Sequence, residues 1–237
     1  MRLSNSKSKF HLNAYALQKG INLQTYTIGY EGYSKYDERE NAKKSADFLG
    51  LNNKEIIINQ TDFLDASDEV LDTLDEPLND PASIPLYILF KNIAKDGYKV
   101  VLSGEGSDEL FLGYRQYFEY LDIEDASKLK HKNWEHYKRI FNDTLLFRTS
   151  GENFTDLQKN KLLKRNVKDN QALKYLKPYR DRFENSWHVD ESIWYSYIDL
   201  NLFQAEHFLT KLDRVSMAHT VESRTPFLDH KLACGVF

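Results

Sequence analysis

Lys99-Val-Val-Leu-Ser-Gly-Glu-Gly-Ser-Asp-Glu109 is the stretch on which the fold turns. It begins as a short apolar run, passes through a turn holding Gly104 and Gly106, and leads into Leu110-Phe-Leu-Gly-Tyr114, which opens a helix. A strand, a glycine turn and a helix in that order make one arm of a βαβ unit. The preceding chain repeats the pattern. Leu23-Gln-Thr-Tyr-Thr-Ile-Gly-Tyr30 is β-branched and aromatic and reads as a strand. Asp37 to Leu49 places Ala42, Ala46 and Leu49 on one helical face, with Gly50 where a helix C-terminal glycine belongs. Glu55-Ile-Ile-Ile58 reads as a strand covered on both faces, and Phe63 to Leu74 repeats apolar residues at helical spacing. After the proline-punctuated loop from Asp75 to Pro85, Ser83 is the expected N-cap of a helix reaching Lys95. Strands alternating with helices predict an α/β fold with a parallel sheet, residues 1–120, followed by a helical part, residues 121–237.

Composition bounds the chemistry. The 237 residues are 41% hydrophobic and 29% charged, which excludes a disordered or collagen-like chain. Thirty-two basic against 36 acidic residues leave a net charge of -4, so nothing electrostatic favours nucleic acid or an anionic membrane as partner. No apolar run approaches the roughly 20 residues of a membrane helix, and Met1 to Gly20 lacks the apolar centre of a signal peptide. The single cysteine, Cys234, excludes an internal disulfide and suits a reducing compartment. These readings predict a soluble cytoplasmic protein.

Ligands of open α/β sheets bind beyond the carboxyl ends of the strands, where the turn Ser103–Glu109 falls. Gly104 and Gly106 let backbone N–H groups approach an anion. Glu105, Asp108 and Glu109 crowd the same turn and would repel a bare phosphate. They become useful when a divalent cation bridges carboxylate and phosphate, since Mg²⁺ usually takes one or two carboxylates plus phosphate oxygens. The chemical reading is a magnesium–nucleotide site with one carboxylate left for proton transfer. The other reading is an acidic strand-to-helix turn in which Asp108 and Glu109 only stabilise a helix N-terminus.

Ser103-Gly-Glu-Gly-Ser-Asp-Glu109 with Gly113-Tyr114 resembles a signature of the synthetase domain of glutamine-dependent asparagine synthetases. Thr25-Tyr-Thr-Ile-Gly29, Asp75-Glu-Pro77 with Asp80, Ser83 and Pro85, and Lys211-Leu-Asp-Arg-Val-Ser-Met-Ala218 leading into Glu222-Ser-Arg-Thr-Pro-Phe-Leu-Asp229 resemble further family stretches in order and spacing. The resemblance implies an ATP-pyrophosphatase core, like that of the adenine nucleotide α-hydrolases. It also implies an ATP- and Mg²⁺-dependent reaction. A carboxylate, that of aspartate or a sugar acid, becomes an acyl-adenylate with loss of pyrophosphate, and ammonia then displaces AMP. By resemblance Ser103, Gly104 and Gly106 hold the nucleotide, and Ile28 offers backbone contacts to the adenine. Asp108 is implied as a magnesium ligand and Glu105 as the carboxylate that deprotonates the amine. Arg214 falls where many members place a lysine that stabilises charge on the phosphate or the tetrahedral intermediate; its planar fork suits phosphate but cannot give up a proton. Homodimers are common among such enzymes.

The chain also departs from the family pattern. A Ser-Gly-Gly-x-Asp-Ser loop is implied one helix before the Thr25–Gly29 strand, where this chain has Leu3-Ser-Asn-Ser-Lys-Ser-Lys9. Asn5 and Ser6 replace glycines, Ser8 stands near the aspartate position, and Lys7 and Lys9 are read as part of a solvated terminus. The strand feeding that loop is central in the family, so its neighbours are expected to close up or leave a less stable sheet, each buried unpaired backbone group costing about 1–3 kcal/mol. Family glutaminases begin with a cysteine after the initiator methionine, whereas Arg2 follows Met1 here. The reading is therefore a chain truncated at both ends that takes ammonia, free or from a separate glutaminase domain, and its alternative is a catalytically impaired remnant. Glu222 and Arg224 are expected to form a structural ion pair, and Pro226-Phe-Leu-Asp229 to pack beneath the site. Lys211 is read as a solvated helix residue. Lys159, Lys161, Lys164, Arg165 and Lys168 are read as a solvated basic face. Trp187, Trp194, Tyr197, Phe203 and Leu209 are read as core-facing helix residues, and His207 and His219 as lone histidines without a metal role.

Overall fold

The computed structural model describes residues 5–32, 37–76, 78, 80–114, 117, 156–164, 171–186 and 191–236. It is mixed α/β, mostly helical with small parallel sheets. The chain forms two compact units, Met1–Asp108 with Ala205–Phe237, and Glu109–Gln204. Among the described residues no helix is long and apolar enough to cross a membrane.

The first unit opens with helix α1, Asn5–Gln18. Asn5 to Lys9 are therefore helical backbone, so the described part of the stretch where a phosphate loop is implied is regular helix. Strand β1, Gln24–Tyr30, pairs in parallel with β2, Asn52–Ile58, through helix α2, Arg39–Leu49. Gly50 closes α2 in the left-handed region at φ 66°, its N–H donating to the Ala46 and Asp47 carbonyls, as its position predicts. β2 is not covered on both faces. Ile56 and Ile58 are buried, but Ile57 between them is 54% exposed, because period-2 alternation carries it to the opposite face.

Helix α3, Gln60–Thr73, starts earlier than its apolar spacing suggests, since Asn59 and Asp62 form a reciprocal capping box with both bonds at 2.9 Å. Helix α4, Ser83–Lys95, follows. Ser83 is not its N-cap: Ala82 holds that position, and the Ser83 hydroxyl instead donates to the Asp80 carbonyl at 2.8 Å. Strand β3, Val100–Leu102, pairs in parallel with β4, Glu222–Arg224, a strand contributed from 120 residues further along. Between them in sequence lie α5, Ser107–Leu110, and the second unit. Helix α9, Leu209–Met217, the 3₁₀ turn Pro226–Leu228 and helix α10, His230–Val236, complete the first unit.

Apolar residues at helical spacing build its core: Ala66 and Val70 from α3, Tyr87, Phe90 and Ile93 from α4, Leu212 and Val215 from α9. Among the described residues the four strands remain two separate pairs, β1–β2 and β3–β4. The neighbours of the expected central strand have not closed up.

The second unit holds helices α6, Asp156–Leu163, α7, Gln171–Glu184, and α8, Glu191–Ile198; the π-helical segment Asp199–Phe208 follows α8 in the chain. Its core is aromatic. Trp194 and Tyr195 pack with Tyr117, Leu176, Phe183 and Ile198, with Tyr197 and Phe203 at the margin, as their helical spacing predicts. Lys161 and Lys164 are exposed, in keeping with a solvated face, whereas Lys159 is half-buried. Trp187, Arg165 and Lys168 lie outside the described residues.

Candidate active site

The turn after β3 is shaped from two sides. The Ser103 N–H donates to the Arg224 carbonyl at 2.8 Å, extending the β3–β4 ladder by one rung. Ser103 Oγ then accepts the Glu105 N–H at 3.2 Å, and the Ser107 N–H donates to the Gly104 carbonyl at 3.3 Å, closing the turn that starts α5. Gly104, Gly106, Ser107 and Asp108 are buried and Glu105 is half-buried. Gly106 sits at φ +85°, where an L side chain is strained, and a Cβ there would lie 2.2 Å from Leu228 Cδ2. Leu228, from the 3₁₀ turn after β4, thus packs directly against the loop, as the reading of Pro226–Asp229 expects. Glu222 and Arg224 form the expected ion pair at 2.9 Å on the exposed side of β4.

A Gly106→Ala substitution is therefore expected to cost about 2–4 kcal/mol, from left-handed backbone strain and the clash together. Denaturant unfolding measures it. Adding Leu228→Ala should relieve the steric share and leave the backbone share.

Glu109, the third carboxylate of the turn, serves the packing of the second unit. It is 1% exposed, accepts the Tyr114 hydroxyl at 2.6 Å, and its carbonyl accepts the Ser196 hydroxyl. That leaves Glu105 and Asp108 as the acidic groups of the turn on the first unit. Among the described residues no three His, Cys, Asp or Glu side chains gather as a metal cage. A magnesium ion at Asp108 would accordingly share its shell with phosphate oxygens and water, which is the usual coordination of that ion beside a nucleotide.

A second polar cluster joins the loop before α4 to α9. Lys211 Nζ lies 2.6 Å from Asp80 Oδ2, its side chain only 9% exposed, and His207 Nε2 lies 3.8 Å from the same oxygen. The Ala82 N–H donates to Asp80 Oδ1 at 2.9 Å. Lys211, expected in solvent, is thus the buried member of an ion pair. One helical turn on, Arg214 pairs with Asp75 and lines, with Leu74, Glu76, Leu78 and Thr210, a cavity of about 260 Å³. Burial pushes the Asp80 carboxyl up, but His207 and Lys211 outweigh it and hold it well below the usual carboxylate range.

The sign of the pH effect follows. A carboxylate depressed in the folded chain stabilises it above its unfolded pKa, and that stability drains away as pH falls below about 4 toward the native value. Asp80→Asn should flatten the acid limb of stability against pH, as read by thermal unfolding in a series of buffers.

The structure therefore gathers Ser103, Gly104, Glu105, Gly106 and Asp108 in one turn. Ile28 lies on β1, lining a groove with α2 and α4, and Arg214 lines the Asp75 cavity; neither lining includes a residue of that turn. Asp80 and Lys211 were not singled out for a role by the sequence. The one signal was the i, i+4 spacing of His207 and Lys211, and their acidic partner lies 131 residues from Lys211.

The asparagine synthase family model matches residues 12–236. The glutamine-hydrolyzing asparagine synthetase 1 of Bacillus subtilis (strain 168) is 33% identical over 227 residues, covering 87% of this chain and 35% of that protein. Glutamine-hydrolyzing asparagine synthetase 3 of Arabidopsis thaliana and 2 of Oryza sativa subsp. japonica are 36% and 37% identical over 101 residues, 42% of this chain and 17% of theirs. The chain belongs to the asparagine synthase family. It spans about a third of the length of its bacterial relative.

Proposed function

We propose that this chain is an ATP-dependent, amide-forming ligase domain of the asparagine synthetase type, with an ATP-pyrophosphatase fold. The observation that carries the reading is the turn Ser103–Asp108, which sets Glu105 and Asp108 beside glycine backbone at the carboxyl end of β3. Ser103, Gly104 and Gly106 receive the nucleotide phosphates and Ile28 the adenine. Asp108 holds the magnesium ion, which when bound neutralises phosphate charge and draws electron density from the reacting phosphorus. Glu105 takes the proton of the attacking amine. Arg214 offers a planar cation to an anionic group of substrate or intermediate. The acceptor is aspartate or a related carboxylate, and the nitrogen arrives as ammonia from a glutaminase domain, in a cytoplasmic enzyme that forms homodimers.

One observation favours a second reading. Asn5 to Lys9 are helical, and residues 1–11 fall outside the family match. A domain without a glycine loop at that place would bind nucleotide and turn it over poorly, as an impaired remnant does. ATP–pyrophosphate exchange with limiting Mg²⁺ and aspartate, run beside an Asp108→Asn control that removes the proposed metal ligand of the adenylation step, separates the two. Exchange above the control supports the ligase, and exchange equal to it supports the remnant.

A further inference from the structure

A strained turn closes the end of α9. The Thr220 N–H donates to the Met217 carbonyl at 2.9 Å and the Val221 N–H to the Ser216 carbonyl at 3.2 Å, a helix-terminating pair whose left-handed position glycine usually takes. Thr220 holds that position at φ +54°, an outlier for a β-branched side chain. Two contacts flank it. Lys99 Nζ donates to Thr220 Oγ1 at 3.1 Å, and the His219 ring lies against the Tyr87 ring of α4, centroids 4.3 Å apart. Strand β4 begins two residues later, with the Glu222 N–H donating to the Lys99 carbonyl at 2.8 Å. The strained residue thus adjoins the strand that carries Arg224 and leads to Leu228, the two supports of the turn Ser103–Asp108.

His219 is seated as a neutral imidazole. Its Nε2 is buried with no hydrogen-bond partner among the described residues, and the Tyr87 carbonyl accepts from the other ring nitrogen. A lone pair tolerates that place, whereas a second N–H would be a buried donor without an acceptor. The titratable and charged groups that face the ring are Glu69 from α3 and Tyr87 and Lys91 from α4, with Lys91 Nζ 2.9 Å from the Glu69 carboxylate. Lys99 before β3 and Glu222 of β4 flank the junction. Burial first and Lys91 second hold the imidazole below its ordinary value, against the pull of Glu69 and the Tyr87 carbonyl. We propose that His219 is a pH-sensitive latch, a positioning residue for the turn Ser103–Asp108. The neutral ring seats against Tyr87 and keeps β4 beside β3. The protonated ring leaves that seat, Thr220 relaxes, and the supports of the turn loosen. Released, the imidazole titrates near its ordinary value of about 6.5, above its value in the seat. The hold is therefore complete above that pH and drains away as pH falls below it.

Amide hydrogen exchange of the full chain, divided by the intrinsic rate at each pH, tests the latch. The protection of the Ser103 amide is expected to fall about fivefold between pH 7.5 and 5.5 while the amides of α2 hold constant; a single proton limits the change to about tenfold per pH unit. His219→Gln keeps a donor for the Tyr87 carbonyl and cannot be protonated, so its profile should be flat. If that chain does not fold, Lys91→Met decides: with the cation gone the seated ring takes a proton more readily, and the fall should shrink. A flat profile in the parent overturns the proposal, as does a fall that persists unchanged in the deciding variant. A fall abolished by His207→Gln also overturns it, since the titrating group is then the histidine beside Asp80. Exchange is read and not turnover, so failure of the ligase reading leaves the latch untouched.

Discussion

Lys211→Ala is expected to lower the unfolding free energy by about 3–5 kcal/mol, because it leaves Asp80 half-buried without its cation. The side chain is 9% exposed and lies 2.6 Å from the carboxylate, so water cannot take over the lost interaction as it would at a surface pair. The same substitution removes a cation from beside the Phe208 ring, 5.2 Å away. Replacing both partners, Lys211→Met with Asp80→Leu, should recover most of the loss, since an apolar pair needs no desolvation of charge. Urea unfolding at neutral pH gives the three values. A second reading comes from acid: without Lys211 the Asp80 carboxyl rises, so the variant should lose less stability than the parent as pH falls below about 4. A Lys211→Ala chain as stable as the parent would return Lys211 to the role of an ordinary helix residue.

Glu105→Gln is expected to reduce amide formation by about 10²–10⁴-fold, the usual worth of a positioned general base. Glutamine keeps the shape and the acceptor oxygen but cannot hold a proton taken from an amine. Glu105 is half-buried on the turn, and its backbone N–H is held by Ser103 Oγ in a bond the substitution does not touch. Thermal unfolding run beside the assay separates loss of the base from loss of the fold. Asp108→Asn should behave differently, raising the magnesium concentration needed for half-maximal rate, because one anionic ligand is lost. Full activity in Glu105→Gln would remove the proton-transfer role and leave the turn as a binding element only.

Local elements were legible wherever one stretch of chain contains its own reasons. Gly50 ends α2 because a left-handed residue must follow a helix that turns back, and the alternation of apolar runs with helical spacing marks β1, α3 and α4. The Asn59–Asp62 capping box is equally local and starts α3 ahead of the apolar spacing that begins at Phe63. Lys211 is buried where its place on α9 predicts solvent, because its exposure depends on Asp80, which no spacing along α9 reveals.

The turn Ser103–Asp108 divides the same way. Its residue types alone indicated where an anion and a cation could be held, since glycines, carboxylates and a strand end are properties of a dozen consecutive residues. Its shape came from elsewhere: Arg224 receives the Ser103 N–H and Leu228 fixes the space beside Gly106. The amino-acid order by itself determined the family, the strands and helices between Leu23 and Leu102, and the row of glycines and carboxylates at one turn. Only the tertiary structure decided that β4 returns to support β3, that Glu109 turns to Tyr114, and that the strands stand as two pairs. Local propensity acts over a few residues, whereas burial and pairing depend on what the rest of the chain brings alongside.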